Sequence, residues 1–172
     1  KGLFDTIDIL KSKNIVPIGA GRNKSEAYAP YIWENKGVRY GFLAMNNVYG
    51  SIAKAKDQSH KDAAGISWLD QDALDAVSKL NNIVDYVIVL VNWGKEYIAA
   101  PMKKEIRLSE QLVDAGADII LGDQAHWVQH YRFIDDAFIS YGLGNFIFDQ
   151  HWSEQTKEGI LHQLVFYNKK LL

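Results

Sequence analysis

The chain has 172 residues, enough for one domain, and 48% of them are hydrophobic, enough for a packed core. Its 19 basic and 21 acidic residues leave a formal net charge of -2, which argues against a nucleic-acid partner, since such partners are met with a basic face or stripe. The absence of cysteine excludes a disulfide framework and any thiolate ligand or nucleophile, and the longest apolar run, Val87 to Val91, falls far short of the ~18 residues of a membrane helix.

Leu3, Ile7 and Leu10 recur at helical spacing and predict an amino-terminal helix. Ile15 to Ile18 reads as a short strand ended by Gly19-Ala-Gly21, with Arg22 and Asn23 just beyond it. Two glycines there would let the backbone approach an anion, although the pattern is not a full dinucleotide fingerprint and a plain turn is the simpler reading. Tyr31 to Glu34 and Val38 to Ala44 predict a hairpin turned at Asn35-Lys-Gly37. Residues 46 to 67 carry no period, and their mixed charges (Lys54, Lys56, Asp57, His60, Lys61, Asp62) describe a solvated surface.

Leu69, Ala73, Val77 and Leu80 mark an amphipathic helix with Asp70 and Asp72 in its first turn. Asp85 to Val91 is β-branched and nearly free of polar residues, as a strand buried on both faces should be. It runs into Asn92-Trp-Gly-Lys-Glu-Tyr97, where Trp93 and Tyr97 read as cover for the core. Pro101 precedes a helix over about Lys103 to Ala115, with Gly116 just past its end. Ile119-Ile-Leu121 is a second buried strand, and it stops at Gly122 before Asp123, Gln124, His126 and Gln129. Trp127 to Ile134 and Ala137 to Tyr141 predict an antiparallel hairpin across Asp135-Asp136. The alternation over Gly159 to Tyr167 predicts a last strand. No repeat, low-complexity tract or interior linker interrupts the chain.

Several strands thus end in polar groups: Arg22/Asn23, Asn46/Asn47, Asn92/Glu96 and Asp123/His126. Open α/β sheets bind ligands beyond the carboxyl ends of their strands. If the strands from Ile15, Asp85 and Ala117 run parallel, Arg22, Asn92, Glu96, Asp123 and His126 face one crevice. Such an oxygen- and nitrogen-lined site suits a borderline divalent ion such as Zn²⁺ or Mn²⁺. The plainer alternatives are a strand-capping amide at Asn92, a surface charge at Glu96 and a backbone-bonded imidazole at His126. No serine sits in a Gly-x-Ser-x-Gly elbow, so a nucleophilic triad has no support.

Five stretches occur in order: Gly19-Ala-Gly-Arg-Asn23 with Glu26-Ala27 and Pro30, Asn92-Trp-Gly-Lys-Glu-Tyr97, Asp114-Ala-Gly-Ala-Asp118, Gly122-Asp-Gln-Ala-His-Trp-Val-Gln129 and Tyr141-Gly-Leu-Gly-Asn-Phe-Ile-Phe-Asp149. Together they resemble the CapA/PgsA family of poly-γ-glutamate capsule biosynthesis proteins. The resemblance implies a metallophosphatase-like α/β sandwich, a mixed sheet with flanking helices, of the calcineurin type. Two stretches depart from the family pattern. The usual His-Trp-Gly is Asn92-Trp93-Gly94 here, and the usual Gly-His-His-Pro-His is Gly122-Asp-Gln-Ala-His126. Lys1 matches a point just after the family's Asn-Asn-His-x-x-Asp motif, so the resemblance reads the chain as one domain lacking its amino-terminal half.

The strand ends and the resemblance together set the functional expectations. Asp123 and His126 are the candidate catalytic groups, and Asn92, Asp123 and His126 the candidate ligands of an incomplete Zn²⁺ or Mn²⁺ site. Arg22, Asn23, Glu96 and Asn145 are the candidate substrate contacts. In a hydrolase or phosphoesterase the metal would activate a water; the alternative is a non-catalytic binding or scaffold subunit of the capsule machinery. The expected partners are an anionic polymer or a phosphorylated small molecule, other capsule-machinery subunits, and the missing amino-terminal segment or a second copy. The full-length protein is expected outside the cytoplasm, associated with a membrane.

Overall fold

The computed structural model describes residues 2–49, 59, 63–167 and 170–171. Helix α1 (Gly2–Ser12) buries Ile7 from the expected stripe. Ile15 and Val16, expected in a strand, are solvent-exposed and pair with nothing regular. The strand lies two residues later as β1 (Ala20–Gly21), and it joins a separate two-stranded ribbon rather than the main sheet. A short helix, α2 (Lys24–Ala27), follows directly, its first turn closed by the Asn23 side chain.

The expected hairpin forms as β2 (Tyr31–Asn35) and β3 (Val38–Asn46). Asn35 pairs with Val38, and Lys36 and Gly37 both take positive φ (52° and 76°), as the two-residue turn matching strand twist requires. β4 (Gly65–Ile66) is the antiparallel partner of β1. The charged residues Lys54, Lys56, Asp57, His60, Lys61 and Asp62 lie outside the described residues.

Helix α3 (Gln71–Asn81) begins where Asp70 accepts the Ala73 N–H at 3.2 Å, and it buries Ala73, Val77 and Leu80. β5 (Tyr86–Asn92), α4 (Lys103–Asp114) and β6 (Ile119–Asp123) match the expected strand–helix–strand unit. β7 (Tyr131–Ile134) and β8 (Ala137–Ser140) form the second hairpin, turned at Asp135 and Asp136. Its first strand starts four residues later than the alternation predicts.

Six strands make one mixed sheet in the order β2-β3-β5-β6-β8-β7. β3, β5, β6 and β8 run parallel, and the two edge strands, β2 and β7, run against their neighbours. On one face Val87, Val89, Val91, Ile120 and Ile139 pack with Val77 and Leu80 of α3 and Leu112 of α4. Each such aliphatic, fully buried, stabilises the fold by about 1.5–3 kcal/mol. This is the α/β arrangement the resemblance implies, a mixed sheet with flanking helices.

Tyr86, Ile88, Ile119 and Phe138 occupy the other face, met by Leu164, Phe166 and Leu171. The last strand expected over Gly159 to Tyr167 shrinks to β9 (Phe166–Tyr167), paired only with β10 (Lys170–Leu171). The alternation is nonetheless real. His162, Leu164 and Phe166 are partly buried while Leu161, Gln163 and Val165 are exposed, so the segment crosses the sheet face instead of extending its edge. The cover stops short of the carboxyl ends, where Leu90 of β5 remains 36% exposed.

Gly122 marks the tightest point of the sheet. The Trp93 indole N–H donates to the Tyr141 carbonyl at 3.0 Å directly over it, and a Cβ at residue 122 would overlap both groups. Tyr141 in turn reaches α4 through its hydroxyl, 2.8 Å from Ser109 Oγ. Since Ser109 Oγ donates to the Ile106 carbonyl at 2.7 Å, the tyrosine supplies the proton of its link to Ser109. Gly122→Ala therefore loses about 1–3 kcal/mol from overpacking, and as much again where the indole N–H is left without its acceptor. Urea unfolding followed by tryptophan fluorescence will show a lowered midpoint at unchanged slope; an unchanged midpoint contradicts this account.

Candidate functional site

The parallel register sets the site. Asn46 lies opposite Asn92, and Asn92 lies opposite Asp123. Three neighbouring strands thus end with a polar residue at one level, on the face that carries Ile88 and Leu90, because strand side chains alternate with period two. Asn92, Asp123, Gln124, His126 and the 144–148 loop line a crevice of about 430 Å³ there. Convergence at one sheet edge is as the sequence anticipates, with one substitution of element. β3, not the stretch from Ile15, is the third parallel strand; Asn46 stands at its end in register with Asn92, but it donates to the Val48 carbonyl at 3.0 Å and is not among the residues lining the crevice.

The turn after β6 is unusual. Gln124 and His126 both have left-handed φ (84° and 56°), as does Tyr97 (61°) in the facing loop after β5. Such conformations cost about 1–3 kcal/mol each in non-glycine residues and persist only where the surroundings enforce them. Here the Tyr97 N–H donates to the Ala125 carbonyl at 2.8 Å and locks the two loops together. Gln129, just downstream, donates to the Ile98 carbonyl at 2.8 Å and is structural.

Gln124 is the centre of a polar relay. Its Oε1 accepts from Asn92 Nδ2 at 3.0 Å and its Nε2 donates to Glu96 Oε1 at 3.0 Å. Glu96 therefore stands behind the crevice wall and acts on it through Gln124. His126 is held by its rings and by one polar contact. It stacks between Tyr97 and Phe148, each centroid 5.6 Å away at 22° between planes, and its Nδ1 lies 2.9 Å from Asn145 Oδ1. Tyr97 thus does more than cover the core, and nothing in the sequence distinguishes Phe148 from its apolar neighbours.

Arg22 and Asn23 are not among the residues lining the crevice. Arg22 Nη2 pairs with Asp8 Oδ1 at 2.5 Å, and its guanidinium lies over the Phe4 ring. Asn23 Oδ1 accepts the Glu26 N–H at 2.9 Å. Both side chains are committed to local structure. Asn92, Asp123, His126 and Asn145 are brought together, and Gln124, in the sequence only a polar neighbour of Asp123, joins them.

The donor set is mainly amide. Among the described residues no three His, Cys, Asp or Glu side chains lie close enough to hold a metal ion together. One carboxylate, one imidazole and amide oxygens do not amount to a Zn²⁺ shell by themselves. Asp123 has its carboxyl pKa raised, chiefly because the crevice walls displace water from it; the Asn92 amide and the nearby His126 pull it partly back. The folded chain therefore keeps this proton in a range where the unfolded chain has lost it. Stability falls as pH rises from the ordinary carboxylate range through the raised value. Asp123→Asn will raise the urea midpoint at neutral pH in chelated buffer, modestly because the side chain is still open to solvent, and the gain will vanish in acid. A gain that persists in acid contradicts the assignment.

Residues 1–150 match the family model described as "Bacterial capsule synthesis protein PGA_cap". The chain is 33% identical over 165 residues to "Capsule biosynthesis protein CapA" of Bacillus anthracis, covering 95% of this chain and 40% of that protein. It is 31% identical over 165 residues to "PGA biosynthesis protein CapA" of Bacillus subtilis (strain 168), covering 95% of this chain and 42% of that protein. The chain therefore spans less than half the length of these relatives. Among solved structures it resembles a hypothetical protein from Thermus thermophilus, with a TM-score of 0.49 and 15% identity, covering 83% of this chain and 58% of that one. The family model covers most of the chain and both relatives match nearly all of it: the chain belongs to the bacterial capsule synthesis protein family PGA_cap.

Proposed function

We propose that this chain supplies a ligand-binding crevice to capsule synthesis, and that the ligand is an acidic, amide-linked polymer of poly-γ-glutamate type. The observation that carries the reading is the polar row at the sheet edge, Asn46, Asn92 and Asp123 at one level with Gln124, His126 and Asn145 around it. Side-chain amides both donate and accept, as the peptide-like groups of such a polymer do. Phe148, stacked on His126 in the crevice lining, offers apolar surface to the methylenes between those groups. Among the described residues no lysine or arginine lines the crevice, which disfavours a phosphorylated small molecule held by its phosphate; the polymer would lie there by its amides and methylenes, with its carboxylates turned to solvent.

The same donor set favours binding over metal-dependent hydrolysis by these residues alone. A Zn²⁺ or Mn²⁺ ion belongs to this reading only with donors from outside the crevice. An extracytoplasmic, membrane-associated site of action goes with a capsule role; no described helix is long and apolar enough to cross a membrane. The rim of the crevice is apolar, with Phe146 91% and Ile147 86% exposed, and we read this surface as one that meets another protein or a second copy.

Two measurements test the reading. Titration with γ-linked glutamate oligomers, followed by amide chemical shifts, will give saturable changes at Asn92, Gln124 and Asn145. Gln124→Ala will weaken binding about 5- to 10-fold, the loss of one or two hydrogen bonds. Equal binding of α-linked oligomers of the same charge, or no binding of either, refutes it. In sedimentation the mass will rise with concentration, and Phe146→Ser with Ile147→Ser will suppress the rise; a monomer at every concentration excludes a second copy as the occupant of this surface.

A further inference from the structure

The chemistry that His126 offers to the crevice is decided by a residue that need not touch a ligand. Asn145 lies on the loop after β8, and its amide has two distinct environments. Nδ2 is 2.9 Å from the Thr156 carbonyl oxygen and 3.4 Å from Gln150 Oε1. A backbone carbonyl can only accept, so the NH₂ group must face Thr156, and Oδ1 must face His126. An Asn145 turned the other way would set two oxygens against each other.

The Thr156 carbonyl is itself anchored. The Thr156 residue is completely buried, and its hydroxyl donates within the 150–156 turn, 2.7 Å from the Gln150 carbonyl and 2.9 Å from the Ser153 carbonyl. The Asn145 backbone is held as well, its N–H donating to the Glu158 carbonyl at 3.0 Å. Gln150 donates its Nε2 to the Tyr97 hydroxyl at 3.3 Å, which leaves Oε1 for Asn145.

We infer that Asn145 is a positioning residue that fixes the tautomer of His126. Oδ1, an acceptor 2.9 Å from Nδ1, requires the proton on Nδ1. Nε2 of the neutral ring then carries a lone pair, and the Tyr97–His126–Phe148 stack restrains the ring from turning away. Free imidazole side chains favour the opposite form, with the proton on Nε2, so the assignment is a reversal imposed by the fold. Its consequence is an acceptor directed away from Asn145, able to receive an N–H from a ligand or the proton of a water. This consequence rests on the reading of the crevice as the binding site; the tautomer does not, and it is measured with no ligand present.

The experiment is a long-range ¹H–¹⁵N correlation of the imidazoles in the full chain, labelled with ¹⁵N-histidine, in chelated buffer at a pH where the rings are neutral. The wild type will show His126 Nδ1 at a pyrrole-like shift and Nε2 at a pyridine-like shift. Asn145→Ala will lose that pattern and move toward the Nε2–H form. Asn145→Leu, similar in shape and without an acceptor, will lose it too. A backbone amide spectrum of each variant checks folding. Nε2–H as the major form in the wild type overturns the inference without reference to any variant, and so does a folded Asn145→Ala with an unchanged pattern. If the tautomer holds and γ-glutamyl oligomers do not bind, the inference stands and the polymer reading fails.

Discussion

The carboxyl edge of the sheet hangs on one hydrogen bond, from the Trp93 indole to the Tyr141 carbonyl across Gly122. Each of the three residues adjoins part of the crevice. Trp93 follows Asn92, Gly122 precedes Asp123, and Tyr141 opens the loop that carries Asn145. A net hydrogen bond contributes only about 0.5–1.5 kcal/mol, but its location matters more than its size. It joins the strand ends β5 and β8 over the back of β6, on the side away from the crevice. The Tyr141 hydroxyl carries the restraint onward to α4 through Ser109. The crevice floor is therefore tied to the core beneath it, while its rim is made of loops.

Those loops are held by contacts of a different kind. The backbone link from Tyr97 to Ala125, the relay through Gln124 and the ring stack on His126 are each modest, and together they maintain three left-handed non-glycine residues. A chain under pressure for stability alone would place glycine or asparagine at such positions. The combination of strained backbone, a carboxyl with raised pKa and interlocked amides sits at the sheet edge where α/β proteins bind ligands. One carboxylate and one imidazole are the ionisable groups that line the crevice, and its other polar side chains are amides.

The sheet is legible in the sequence because its signals are local. β-Branched runs mark β5 and β6, stripes mark α3 and α4, and the Lys36–Gly37 turn announces the first hairpin. The stretch from Ile15 to Ile18 misleads because apolar character suggests a strand, when Ile15 and Val16 are exposed and lie in no strand. From that error comes the expectation that Arg22 faces the crevice. Asn46 is visible as a strand-ending amide, but its rank depends on the register of β3 against β5, which no single sequence states. Asn92, Asp123 and His126 follow from the rule about strand ends, and Asn145 from the family motif. The partners of His126 do not, because ring stacking joins residues 97, 126 and 148 only once three loops have folded over one another.

The level row of Asn46, Asn92 and Asp123 has one more implication. Neighbouring strands stand about 4.8 Å apart, so the row is a ruler with fixed divisions laid across the sheet. Its reading depends on frame. A shift of β5 by a single residue would bring Val91 or Trp93 into line and turn the amide to the helical side. The valines that fill the core would have to turn with it. Burial of Val87, Val89 and Val91 on the helical face thus acts as the error check on the site, and a folded sheet in the wrong frame is a state the core itself rejects.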